Sequence, residues 1–285
     1  MNHQKVSLLP GLYFIATPIG TARDITLRAL DVLASADVIA AEDTRSLRRL
    51  MEIHGVPLEG RRILAYHDHS GPAARAKLLA ALGEGRSVAY ASEAGMPLIA
   101  DPGYDLSRAA SEAGYTVTSA PGPSAVTTAL TLAGLPTDAF FFDGFLPNAT
   151  QARRARLEAL REIPGTLVFY ESPKRAAASL ADMADVLGGA RPAALCRELT
   201  KKFEQVRRGT LAALAEGAAD DPPRGEIVIL VDRGHLPNVS ASDIESDLRT
   251  ALETHSVRDA ADLVARMHGQ KRREVYQMAL GLSKG

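Results

Sequence analysis

Apolar runs of four to six residues alternate along this chain with stretches whose apolar positions recur three and four apart. Gly11-Leu12-Tyr13-Phe14-Ile15-Ala16 stops at Thr17-Pro18-Ile19-Gly20 and reads as a buried strand entering a tight loop. Leu27, Leu30, Leu33 and Ala34 then recur at helical spacing behind Asp24 and Thr26, either of which can cap a helix. A strand over 37–41 ends in Glu42-Asp43-Thr44-Arg45, and a helix over 46–54 is stopped by Gly55 and Pro57. The alternation continues with strands at 63–66 and 87–91 and a helix over 73–82 between them. A helix over 106–114, a strand over 115–119 and a helix over 126–133 follow. Such strand–helix units, joined by short Gly/Pro loops, predict a largely parallel sheet covered by helices.

Near residue 140 the pattern changes. Phe140-Phe141-Phe142-Asp143-Gly144-Phe145-Leu146-Pro147 is an aromatic strand, and 151–163 a basic helix carrying Arg153, Arg154, Arg156 and Arg161. Strands are expected at 166–170, 193–196, 203–206 and 227–231, with a helix running to Leu187. Past Gly234, Pro, Asn and Ser read as a linker. Two helices close the chain, 260–268 behind a capping-box variant at Ser256 and a second from Lys271-Arg272-Arg273. The expected units are an α/β domain over 1–120, a second α/β domain over 121–235 and a helical extension over 241–285.

The long loop from Ser92 to Gly103 holds two Gly and two Pro, with acids near both ends. It leaves the carboxyl end of a strand, which is where open α/β sheets bind ligands. Comparable loops lie at 17–20, 121–125 and after Tyr170 and present mostly backbone groups. Such walls suit a small, partly polar ligand, and the helix start at Ser124 and Ala125 favours an anionic group on it. The 285 residues carry a net charge of −1, which disfavours a protein that simply coats nucleic acid but leaves room for local basic patches. A single cysteine, Cys196, excludes a disulfide framework and reads as a buried structural thiol. No run is apolar enough to span a bilayer and the amino terminus is unlike a signal peptide, so the expected location is the cytoplasm. Neither a dinucleotide fingerprint, a Walker lysine motif nor a serine nucleophile elbow is found. His67-Asp68-His69 is the nearest approach to a metal-ligand spacing, and no metal is expected.

Seven motifs occur in order: Ala16-Thr17-Pro18-Ile19-Gly20, Asp24 to Leu30, Ala41-Glu42-Asp43-Thr44-Arg45, Gly95 to Gly103, Pro121-Gly122-Pro123-Ser124-Ala125, Gly144-Phe145-Leu146-Pro147 and Glu171-Ser172-Pro173. Together with Arg197 to Glu204 and Gly225-Glu226, they resemble the ribosomal RNA small-subunit methyltransferase I family, within the tetrapyrrole-methylase-like class. The resemblance covers nearly the whole chain. It implies two α/β domains with S-adenosylmethionine in the cleft between them, a homodimer, and 2′-O-methylation of a cytidine ribose in the decoding region of 16S rRNA on the 30S ribosomal subunit. Carried over by position, it assigns Pro18, Met96, Ile99, Ser124, Ala125, Tyr170, Gly225 and Glu226 to the cofactor. The chain departs from the family pattern at Glu93 and Met96, where Asp and Thr are usual, at Thr21-Ala22, and at Lys174.

Methyl transfer to a ribose hydroxyl needs alignment, exclusion of water and a group that takes or polarises the hydroxyl proton. Polar residues at the strand ends supply candidates: Glu171 or Asp43 to position the hydroxyl, and Arg45 and Arg197 to hold phosphates. RNA grip is expected from 153–161, 201–208 and 271–273. Two other readings stay open: the same fold acting on a tetrapyrrole or other small molecule, and a non-catalytic ribosome-assembly factor.

Overall fold

A computed structural model of the protein describes residues 2–67, 70–233, 241–268 and 270–283. The first of its two sheets comprises β1 (Gly11–Ile15), β2 (Val38–Ala41), β3 (Ile63–Ala65), β4 (Ser87–Ala91) and β5 (Val117–Ala120). Their order is β3-β2-β4-β1-β5 and every pairing is parallel. The inner strand β4 is buried at each of its five positions, as a parallel strand covered on both faces must be. Helices α1 (Leu27–Ser35) and α2 (Thr44–Ile53) pack on one face, and α3 (Pro72–Gly83) and α4 (Tyr104–Glu112) on the other. Neighbouring strands β1 and β4 therefore feed helices on opposite faces, which opens a crevice at their carboxyl ends.

The second sheet is mixed. It comprises β6 (Phe140–Phe145), β7 (Thr166–Glu171), β8 (Pro192–Arg197), β9 (Gln205–Thr210) and β10 (Ile227–Val231), ordered β6-β7-β10-β8-β9. Only β6–β7 is parallel. Helix α5 (Ala125–Ala133) covers one face, where Ile19 from the first half joins its core. Helices α6 (Thr150–Leu160), α7 (Ala176–Leu187) and α8 (Leu211–Asp220) cover the other. Cys196 is buried in the α5 face, and burial pushes its thiol up to about 11.

Three expectations need correction. The strand expected at 203–206 lies at Gln205–Thr210, because residues 198–204 form a turn and the edge strand is mostly polar and exposed, with Val206 its one large apolar residue. Helix α8, capped by Thr210, was not expected; its Ala-rich sequence carries only a sparse apolar stripe. The chain closes with three helices rather than two: α9 (Ala241–Leu252), α10 (Val257–Met267) and α11 (Arg272–Leu282). Ile244, Leu248 and Ala251 of α9 pack against Ala260, Val264, Val275 and Ala279, forming a separate small core. No helix among the described residues is long and apolar enough to cross a membrane.

Candidate functional site at the strand ends

The parallel register sets Ile15 level with Ala91 and Ala120, and Ala41 level with Ala91, so the loops leaving four strands gather at one edge. Main-chain bonds then stitch them together. Thr17 and Gly95 exchange both N–H···O bonds at 3.0 Å, and the Thr17 hydroxyl donates to the Ser92 carbonyl at 3.2 Å. Gly95 takes φ +83° there, a conformation that any Cβ would strain. The Glu93 N–H donates to Glu42 Oε2 at 3.0 Å, tying in the loop after β2. Leu98 and Ala100, at φ 71° and 60°, are held in the left-handed region. Strain of this kind, of order 1 kcal/mol or more per residue, persists where the surroundings fix the backbone for a purpose.

The second sheet brings its own loops to the same edge. Glu198 and Thr200, also at positive φ, turn residues 198–201 back toward the first half, where the Thr21 N–H donates to Thr200 Oγ1 at 3.1 Å. Glu198 Oε1 accepts from the Glu226 N–H at 2.9 Å and from Lys201 Nζ at 3.0 Å, which holds its carboxyl below the usual range. Lys201 also reaches Glu226 Oε2 at 3.0 Å. A Cβ at Gly225, whose φ is +82°, would overlap the Glu198 carboxylate, so only glycine lets the two strands close here.

Between the two sets of loops lies a cavity of about 570 Å³. Of the positions assigned to the cofactor, Pro18, Met96, Ile99, Ser124, Ala125, Tyr170 and Glu226 line it. Gly225 is not among the lining residues and acts one position away, through Glu198. Five acidic residues line the space, Glu42, Glu93, Asp101, Glu171 and Glu226, against one lysine, Lys201. Tyr170 is pushed up to about 12 by burial and then by Asp101 and Glu226, so it stays a neutral donor. Phe142 and Phe145 stand edge-on to its ring. Phe145, 57% exposed, forms part of the rim. Phe145 and Lys201 stand in this wall as well, neither of them an expected cofactor residue. The signals were present: an aromatic position closing β6, and a lysine three residues after Glu198.

The catalytic candidates fall in different places. Glu171 lines the cavity, 3% exposed, and its carboxylate accepts from the Ser172 N–H at 2.7 Å and the Ser179 hydroxyl at 2.5 Å. Arg175 Nε lies 3.3 Å away. Asp43 caps α2, accepting from the N–H groups of Arg45 at 2.7 Å and Ser46 at 3.1 Å, and these amides lower its carboxyl below the ordinary 3.8. Asp43 and Arg45 line a neighbouring groove rather than the cavity. Arg197 ends β8, with Nε 3.4 Å from the Phe203 carbonyl, and lies apart from both spaces. Asp68 and His69 lie outside the described residues.

The expected RNA-grip clusters prove largely committed. Arg153 and Arg154 bind Asp182, Arg154 also binds Asp185, and Arg156 binds Asp143. Arg207 pairs with Asp221, and Arg208 donates to the carbonyls of Leu132 and Ala133. Arg272 pairs with Asp262 and Lys271 with Glu274.

A cavity at the strand ends of a parallel sheet, closed by a second, mixed sheet, defines the class: residues 11–215 match the family of tetrapyrrole (corrin/porphyrin) methylases. Residues 238–283 match the RsmI C-terminal HTH domain. The chain is 49% identical over 276 residues to ribosomal RNA small subunit methyltransferase I of Mesorhizobium japonicum, covering 96% of this chain and 93% of that one. It is 43% identical to the protein of that name from Escherichia coli O157:H7, covering 98% of each. The chain belongs to the ribosomal RNA small subunit methyltransferase I family, and it is a methyltransferase. Among solved structures, uroporphyrin-III-C-methyltransferase from Thermus thermophilus shares the fold at a TM-score of 0.56 and 22% identity, covering 79% of this chain and 94% of that one. A conserved hypothetical protein from Aeropyrum pernix K1 does so at 0.59 and 19%, covering 97% of each.

Proposed function

We propose that the protein uses S-adenosylmethionine to methylate the 2′ oxygen of a cytidine ribose in the decoding region of 16S rRNA, on the 30S subunit in the cytoplasm. The observation that carries this is the acid-walled cavity between the two sheets. Its charge suits a cationic ligand, and its apolar stretch at Ile227, Val228, Leu199 and Met96 suits a ligand that is also part hydrocarbon. The start of α5, at Ser124 and Ala125, offers unpaired N–H groups to a carboxylate, while Ser124 makes no side-chain cap of its own. S-adenosylmethionine carries these three features together, and when bound it supplies a methyl carbon already activated by its sulfonium charge.

The protein's own residues then have three tasks. The stitched loops fix the cavity wall, so that the ribose oxygen is aligned without reorganisation at the moment of transfer. Phe145, Tyr170 and Ile99 close the rim against water. Glu171, which faces the cavity with its lone pairs already engaged, positions the hydroxyl through the wall it braces. Asp43 holds the start of α2, which carries Arg45 to the groove, and Arg197 braces the turn below Lys201. Arg45 takes a phosphate at the groove, and Arg197, which stands apart from both spaces, takes one outside it. The protein works as a homodimer, for which exposed Phe140 and Phe141 on the edge strand β6 offer a surface.

The test is transfer of labelled methyl from S-adenosylmethionine to 30S subunits lacking the modification, with nuclease mapping of the product. Label in 2′-O-methylcytidine is the expected result. Label on a base would overturn the ribose assignment. Cofactor binding without any transfer to RNA would favour a small-molecule substrate. Glu171→Gln keeps an acceptor for Ser179 but loses the charge facing Arg175, and a tenfold or greater fall in kcat is expected. Full activity would remove Glu171 from the machinery.

A further inference from the structure

The cavity opens into a second space of about 520 Å³ that runs along α2 and shares Pro18, Gly20, Ser46 and Glu93 with it. One side of this groove is the loop after β1, at Thr17, Pro18, Gly20 and Ala22. The other is a stripe of α2 made by Arg45, Ser46, Arg49, Leu50 and Ile53. These positions follow the spacing of a single helix face. His54 Nε2, 2.8 Å from the Ala22 carbonyl, pins the far end.

Along the stripe the chemistry changes. Two guanidiniums stand at the cavity end, and Leu50 and Ile53 form an apolar end, with Ile53 51% exposed. Asp43 and Glu93 also line the groove, but the carboxylates near the two guanidiniums hold them only loosely. The Asp43 carboxylate is committed to the first amides of α2, and the Arg45 side chain, 3.4 Å from it, is 92% exposed. Arg49 reaches Glu52 only at 3.8 Å, a surface pair of little weight. Arg48 and Arg23, exposed on either flank, make no ion pair among the described residues.

Resting on the methyltransferase reading above, we propose that this groove is the track of a single RNA strand. Successive phosphates lie on Arg45 and Arg49, one helical turn or about 6 Å apart along the axis. A neighbouring base rests on Leu50 and Ile53. The target ribose stands over Ser46 and Glu93, where groove and cavity meet, with its 2′ hydroxyl turned toward the methyl donor. The division of charge fits the two ligands: an acidic cavity repels phosphate and holds a cation, while the groove beside it does the reverse. The stripe from Arg45 to Ile53 is about 12 Å long, room for the target nucleotide and a neighbour. A tetrapyrrole or other compact substrate needs no such track.

The test compares the full-length protein with R45E/R49E and with I53S, using calorimetry with S-adenosylhomocysteine, the KM for 30S subunits lacking the mark, and the salt dependence of 30S affinity. In R45E/R49E, S-adenosylhomocysteine affinity should stay within about twofold, while 30S affinity falls at least tenfold. The slope against log salt should shrink by about 1.4, roughly 0.7 for each phosphate no longer neutralised. In I53S, affinity should fall severalfold with the slope unchanged, the signature of an apolar rest removed from beneath a base. Wild-type 30S affinity and slope in R45E/R49E would overturn the groove while leaving the methyltransferase reading intact. Abolished S-adenosylhomocysteine binding in a folded variant would also overturn it, because the arginines would then belong to the cofactor site. A wild-type protein that binds S-adenosylhomocysteine yet methylates no RNA would overturn the reading beneath.

Discussion

Helices α2 and α6 look alike in sequence and serve opposite ends. Each carries three arginines within five residues, Arg45, Arg48 and Arg49 in one and Arg153, Arg154 and Arg156 in the other. In α6 the guanidiniums turn onto carboxylates: Arg153 Nε donates to Asp182 Oδ2 at 2.6 Å, and Arg154 spans Asp182 and Asp185 at 2.9 Å each. Here the charges are mortar between α6, α7 and β6. In α2 the carboxylates at hand hold the guanidiniums loosely, Asp43 being spent on the helix cap and Glu52 reaching Arg49 only at 3.8 Å, so the guanidiniums stay exposed beside a groove. Charge density along a sequence therefore does not locate a nucleic-acid surface. What decides is whether the fold delivers a carboxylate to each cation.

The largest effect should come from the α6 side. Arg153 is buried, and Arg153→Ala would strand the buried Asp182 carboxylate, since Arg154 engages its other oxygen from a more exposed position. Breaking a buried pair from one side costs about 3–5 kcal/mol. Urea unfolding should show that loss, while S-adenosylhomocysteine still binds the folded fraction. A loss under about 1 kcal/mol together with a large fall in 30S affinity would reverse the roles assigned to the two helices.

Asp43 sharpens the contrast at smaller scale. Its N-cap bonds should be worth about 1 kcal/mol, lost in Asp43→Ala and largely kept in Asp43→Asn. Because its folded carboxyl lies below the ordinary 3.8, the ionic part of the cap is complete above that value. It disappears as pH falls through the lower folded value. Thermal melts from neutral pH down into strong acid should therefore show a steeper acid loss in wild type than in Asp43→Asn. Identical slopes would mean that the amides of Arg45 and Ser46 do not favour the charged form.

How much of this was legible follows the same division between local and non-local causes. The first sheet was readable because its strands are short apolar runs that stop at polar or Gly/Pro loops, as at 11–20. The residues that meet at the cavity were readable as loops, since Gly95 at positive φ and the Pro121–Pro123 stretch announce fixed backbone. Helix α9 was hidden by the Pro, Asn and Ser just ahead of it, although Ile244, Leu248 and Ala251 keep helical spacing. Lys201 and Phe145 leave a local trace, a lysine three residues after Glu198 and an aromatic residue closing β6, but only tertiary placement brings them to the cavity. The pairing of Arg153 with Asp182, 29 residues away, is of the same kind.

The smallest effect on stability separates the two helices most cleanly. Arg48 sits on the exposed side of α2 and makes no ion pair among the described residues. Arg48→Glu should therefore move stability by no more than about 0.5 kcal/mol. It lies beside the groove rather than in it, so it would act on RNA through the local field, which salt screens over about 10 Å at 0.1 M. The expected result is a severalfold weaker 30S affinity at low salt that converges on wild type as salt is raised, with S-adenosylhomocysteine binding unchanged. The equivalent reversal on the other helix, Arg161→Glu, removes a cation already flanked by Glu158 and Glu162 and should leave 30S affinity where it was. If both reversals weaken 30S binding equally, the two helices share one RNA surface and the distinction between mortar and track fails.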